Sequence, residues 1–177
     1  NLFYLFLFVL IVPNVVLCFT EPLPLVAKIA NVLLPLGCYY LIMTLSRNCG
    51  KMLWILFLFV FFGAFQIVLL YLFGQSIIAV DMFLNLATTN SSEAMELLDN
   101  LLPALITIVI LYIPALILGM ISIVRKRTLS VGFIRRERRR AWVVLGAGLV
   151  SLGAAFLLDK KYEMTSDLYP VNVCYNV

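Results

Sequence analysis

Apolar residues run along this chain in five long blocks, and the connections between them carry most of the charge. The blocks are Leu2 to Phe19, Leu25 to Leu45, Met52 to about Phe73, Leu101 to Val124, and Ala141 to Leu158. A helix that crosses lipid needs about 20 mostly apolar residues. Hydrocarbon offers no partner to backbone N–H and C=O groups, so each block has to satisfy them within itself, as a helix. The pattern predicts an all-α membrane fold of five transmembrane helices. An additional interfacial helix is expected in the connection between the third and fourth spans.

The connections differ sharply in charge. The one between the second and third spans carries Arg47 and Lys51 and no acid. The one between the fourth and fifth, residues 125–140, holds eight basic residues and a single acid, Glu137. The connection 74–100 holds no Lys or Arg at all. Positive charge stays on the cytoplasmic side. Ten of the 13 basic residues therefore fall on one side. The N-terminus is expected in the cytoplasm, and the 74–100 loop and the 159–177 tail outside. A basic cluster of this kind also suits nucleic acid or phosphoinositides. The positive-inside rule accounts for the whole cluster, so it is read as a topology anchor that also attracts anionic lipid, with no nucleic-acid partner.

Composition agrees with lipid as the solvent. Of the 177 residues, 64% are hydrophobic and only 12% are charged, against about 25% charged in a soluble domain. The chain opens at Asn1 without a methionine and stops at Val177, and is read as a piece of a longer protein. The first block has no small-x-small cleavage site before Glu21, unlike a signal peptide. Histidine is absent, and the four cysteines (Cys18, Cys38, Cys49 and Cys174) show no C-x-x-C spacing. Metal sites built from close-spaced Cys and His are therefore not expected here. Cys18 and Cys38 read as packing residues, and Cys174 has no evident disulfide partner.

Within the spans, Ala147, Ser151 and Ala155 recur every fourth position, with Gly146, Gly148 and Gly153 nearby. Small residues at that spacing let helices approach closely, so a tight contact inside the bundle is expected, with a homodimer face as the alternative. Pro13, Pro35 and Pro114 lie inside spans and are expected to kink them. No Asp, Glu, Lys or Arg lies in the middle of a span, where ion and proton pathways usually need one.

The connection 74–100 holds the candidate chemistry. Asn85, Thr89 and Glu93 recur at i, i+4 and i+8, and would share one face of a continuous helix. Asp81 extends the ladder by one step. Met82, Phe83 and Leu86 would cover another face and could rest on the bilayer. An amide, a hydroxyl and a carboxylate in a row offer acceptors to a primary ammonium, which brings three donors and one charge. The same residues admit a purely structural reading. Asn90-Ser-Ser-Glu93 has the form of a capping box, with Glu93 folded back on the backbone at a helix start.

The run Asn85-Leu-Ala-Thr-Thr89-Asn90-Ser-Ser-Glu93-Ala94 resembles the external T-N-x-x-E-A segment in the membrane domain of lipid A phosphoethanolamine transferases. The closing Tyr169-Pro170-Val171-Asn172-Val173-Cys174-Tyr175-Asn176 is similar to the tail that leads from the fifth span of those enzymes into their catalytic domain. The resemblance implies a transferase of the sulfatase-like family, active in lipopolysaccharide modification. It would move phosphoethanolamine from phosphatidylethanolamine to lipid A or a core saccharide, through a covalent threonine intermediate. It implies a bacterial inner membrane with a periplasmic C-terminus. Residues 1–158 would be the membrane domain and 159–177 a linker to a further catalytic domain. That domain would hold zinc and all catalytic residues. By the same resemblance Asn85, Thr89 and Glu93 bind the ethanolamine headgroup. Two alternatives stay open: a non-enzymatic five-helix scaffold or transporter subunit, and a phosphoglycerol transferase or sulfatase-type membrane enzyme. Glycerol carries no ammonium for Glu93 to meet. The acceptor and the oligomeric state are not legible in the sequence.

Overall fold

The computed structural model describes residues 2–20, 22–73, 91–158 and 168–171. Among the described residues the chain forms six helices and no strand: α1 Leu2–Thr20, α2 Leu25–Met43, α3 Cys49–Ile55, α4 Phe57–Phe73, α5 Ser91–Val124 and α6 Val131–Leu158. Four of them are long and apolar enough to cross a membrane, and α3 with α4 makes a fifth candidate when counted as one bent span. The described residues are thus all-helical in their regular structure, with four to five candidate spans.

Outward faces fit an apolar surrounding. On α5, Leu102, Ile106, Ile110, Ile113 and Ile117 are exposed, and on α6 Val143, Val150, Leu157 and Leu158 are more so. A monomer in water rarely exposes apolar patches of this size. The inward faces meet in a main core in which Phe3, Phe6, Tyr40, Met43, Leu53 and Ala141 are buried, with a separate small cluster of Ala27, Ala30 and Ala155.

The third span differs from its expected form. In place of one helix from Met52 to Phe73, the chain bends by 63° at Leu56. No proline lies there. Asn48 starts α3 early, because its side chain accepts the Lys51 N–H at 3.1 Å, the usual N-cap arrangement. The two halves then pack on different neighbours. A Cβ on Gly50 would stand 2.3 Å from the Gly119 carbonyl oxygen of α5. A Cβ on Gly63 would stand 2.7 Å from the Pro13 ring of α1. The bend lies between these two close approaches. Pro13, Pro35 and Pro114, in contrast, lie within helices that run on through them.

The two longest helices begin about ten residues before their expected starts. Helix α5 opens at Ser91 rather than Leu101 and has 34 residues, about 50 Å at a rise of about 1.5 Å per residue. This exceeds a hydrocarbon layer of about 30 Å. Residues 91–100, expected as part of a loop, are the first turns of this helix. Likewise most of the basic stretch 125–140 is helix: α6 opens at Val131. Ser130 caps it, accepting the Phe133 N–H on its hydroxyl at 3.2 Å. Arginine is a good helix former, which lets the cap at Ser130 set the boundary.

Helices α2 and α6 make the most extensive contact in the bundle. A Cβ on Gly37 would lie 2.6 Å from the Leu145 Cα, and one on Gly148 2.7 Å from the Leu34 Cα and N. Tight packing of the fifth span within the bundle is therefore present, on two of the small residues expected for it, Gly148 and Ala155, together with Ala141. Ala141, Gly148 and Ala155, seven apart, are buried. Ala147 is exposed, and nothing lies within 4 Å of a Cβ at Gly146 or Gly153. A seven-residue spacing keeps one stripe of a helix facing a nearly antiparallel partner.

Candidate functional site

Of the ladder expected to bind a headgroup, Asn85 and Thr89 lie outside the described residues, as does Asp81. Glu93 is the third residue of α5, whose first residue is Ser91; only its place on the helix backbone is described. Of the connection 74–100, in which the interfacial helix is expected, residues 74–90 lie outside the described residues.

The described polar chemistry falls in two places. The first is a buried seam between α1, α4 and α5. Asn14 of α1 is fully buried, and its side-chain amide donates to the Tyr169 carbonyl at 2.6 Å. The Tyr169 hydroxyl donates in turn to the Phe59 carbonyl on α4. Gly63 makes the room: its missing Cβ would lie 3.2 Å from the Tyr169 hydroxyl and 3.3 Å from the Tyr112 hydroxyl of α5. Gln66 stands three residues further along α4 on the same face and is buried too. Asn14 Oδ1, both polar atoms of the Gln66 amide and the Tyr112 hydroxyl have no hydrogen-bond partner among the described residues. Buried polar groups of this kind usually hold ordered water. The tail 159–177, expected as an external linker, thus contains two buried residues, Leu168 and Tyr169. They lean on the bundle rather than away from it.

The second place is the arginine-rich end. Glu137, the one acid in 125–140, is fully buried. Its carboxylate accepts from the Tyr40 hydroxyl of α2 at 2.5 Å, from Arg136 Nε at 3.1 Å and from Arg140 Nη1 at 3.1 Å. A buried carboxylate is tolerated when its oxygens are filled in this way. Arg138, the next residue along, donates through Nη2 to the Thr44 carbonyl at 2.7 Å. The loops are tied together as well: Leu129 N–H donates to the Arg47 carbonyl at 2.7 Å, and Asn48 Nδ2 donates to the Ser122 carbonyl at 3.2 Å.

Sequence reasoning singled out none of Asn14, Gln66, Tyr169 or Glu137 as a site residue. A signal existed for three of them. Asn14 and Gln66 are polar residues inside otherwise apolar blocks, and Glu137 is a lone acid among arginines. Tyr169 carries no such mark.

Among the described residues no group of three or more His, Cys, Asp or Glu side chains could hold a metal ion. The fold and these contacts define a class, an all-helical protein with several helices fit to span a membrane. No family model, no curated protein and no solved structure matches the chain.

Proposed function

We propose that the chain is the membrane anchor and lipid-substrate-binding portion of a phosphoethanolamine transferase. The full enzyme would take phosphoethanolamine from phosphatidylethanolamine and pass it to lipid A or a core saccharide, at the outer face of a bacterial inner membrane. The observation that carries the reading is the spacing Asn85, Thr89, Glu93, running directly into a helix that opens at Ser91. Glu93 stands eight residues before Leu101, about 12 Å along the helix axis at the usual rise. That distance is on the scale of the headgroup layer beside the hydrocarbon. A carboxylate there would take the ammonium of an ethanolamine headgroup, with the Thr89 hydroxyl and the Asn85 amide supplying neutral acceptors. This portion would bind and orient the donor lipid, and the bond-making groups would belong to the outer domain. Zinc is assigned to no residue of this chain, which holds no histidine.

A second reading has its own observation. Glu93 is the third residue of α5, the position from which Glu reaches back to the capping residue's N–H. In that case the chain is a five-span membrane protein whose ladder binds nothing.

Glu93→Gln separates the two, because Gln serves a capping box as well as Glu does but has no charge for an ammonium. The test is transfer of phosphoethanolamine to lipid A, read by mass spectrometry, in the full-length protein. Loss of transfer with unchanged expression and melting temperature supports headgroup binding. Full transfer by the Gln variant assigns Glu93 to the helix start.

A further inference from the structure

A cavity of about 300 Å³ opens where the end of α2 meets the start of α6. Its wall includes Thr44, Ser46, Arg47, Ile134, Arg135 and Arg138. Three arginines thus line one small space, and among the described residues no carboxylate does.

The partition of charge along α6 explains why. The single acid, Glu137, faces Tyr40 and takes Arg136 and Arg140. Arg135 and Arg138, three apart and so neighbours on the helix surface, are left on the cavity side. Arg138 is held in place, with Nη2 on the Thr44 carbonyl at 2.7 Å and Nε on the Thr44 hydroxyl at 3.4 Å. Arg47 is held by Nε on the Leu129 carbonyl at 3.2 Å, which leaves both its terminal amino groups to point elsewhere. The Arg135 side chain makes no hydrogen bond among the described residues. Ser46 accepts the Asn48 N–H at 3.2 Å and keeps its own proton to donate.

We propose that this cavity binds the phosphate of an anionic phospholipid in the leaflet on the basic side of the membrane. Guanidinium forks suit phosphate oxygens, and two pre-fixed arginines lose little freedom on binding. Phosphate could arrive on a lipid or free in solution. The wall favours the lipid: Leu45 and Val131, both lining the cavity, are 71% and 56% exposed and would lie against the glycerol and the first acyl carbons. By the positive-inside rule this is the cytoplasmic leaflet, where anionic lipid and basic pockets between helices meet. The proposal is independent of the transferase reading and of Glu93.

The test is native mass spectrometry of the full chain in detergent, titrated with phosphatidylglycerol. R47Q/R135Q removes two charge-assisted contacts to the phosphate and should weaken phosphatidylglycerol binding about 30-fold, and R135Q alone about fivefold. R135Q removes no described contact, so it remains informative if the double variant does not fold. R125Q/R139Q removes the same charge outside the cavity and should leave the affinity nearly unchanged. Equal losses in the two double variants would mean diffuse attraction and overturn the site. Displacement of the lipid by millimolar inorganic phosphate would assign the cavity to a free anion and overturn the lipid.

Discussion

Asn14 and Tyr169 lie 155 positions apart in the chain and are joined by a 2.6 Å hydrogen bond from the Asn14 amide to the Tyr169 carbonyl. The bond fixes Tyr169 against the first helix. Leaving a buried carbonyl without its donor costs about 1–3 kcal/mol. Asn14→Ala should lower the melting temperature of the detergent-purified protein and speed protease cleavage in the tail. Tyr169→Phe removes the donation to the Phe59 carbonyl but keeps the carbonyl that accepts from Asn14, and should have the smaller effect. An Asn14→Ala protein with unchanged melting and unchanged cleavage would mean that the tail is not held there.

The contact between α2 and α6 depends on Gly148. A Cβ there would meet the Leu34 backbone at 2.7 Å, and backbone cannot swing away as a side chain can. Overpacking of this kind costs about 1–3 kcal/mol. Gly148→Ala should melt several degrees below the wild type, at about 2–4 °C per kcal/mol for a chain of this size. Gly146→Ala meets nothing within 4 Å and should hold or raise the melting temperature, since Ala is the better helix former by up to about 1 kcal/mol. The ordering of these two variants is the measurement.

Tyr40 and Glu137 form the polar pin at the arginine-rich end, at 2.5 Å. A hydrogen bond to a charged acceptor contributes about 1.5–3 kcal/mol. The arginines beside Glu137 are more than half exposed, and their ion pairs contribute little. Tyr40→Phe and Glu137→Gln should each destabilise the protein, and the double variant should be more stable than the sum of the singles implies. A coupling of about 0.5–3 kcal/mol is typical for residues in contact. Strict additivity in chemical or thermal melting would show that the two side chains do not act together.

The charge asymmetry predicts orientation. In a variant with Cys18, Cys38, Cys49 and Cys174 replaced by alanine, Ser92→Cys should react with a membrane-impermeant maleimide applied to intact cells whose outer membrane has been permeabilised. Thr128→Cys, exposed beside the arginines, should react only after lysis. The opposite pattern would invert the topology.

The spans were largely legible because lipid imposes one simple demand, a run of about 20 apolar residues. Their ends were less so. Helices α5 and α6 reach about ten residues ahead of the apolar runs, and of the two starts the sequence marked one, by the capping pattern at Asn90. A hydropathy pattern marks where apolar residues begin and not where a helix does, so charged turns such as 135–140 read as loop. The break at Leu56 has no proline or glycine of its own. It follows from glycines on either side packing against different helices, a tertiary fact. The small residues of the fifth span predicted close packing, and the choice of Ala141, Gly148 and Ala155 over Ala147 and Ser151 depended on where α2 lies. The polar seam around Asn14 and Tyr169 joins residues from both ends of the chain and left no local spacing to read. The headgroup ladder remains a reading of the sequence alone at Asn85 and Thr89.

The central claim is headgroup transfer, and the most direct measurement is the lipid A of cells that express the full reading frame containing this chain. Mass spectrometry of lipid A from these cells and from vector controls decides it. The account predicts lipid A or core saccharide carrying added phosphoethanolamine only when the frame is expressed, with the addition lost in the Glu93→Gln variant. Unmodified lipid A and core from cells in which the protein is present and inserted would contradict it.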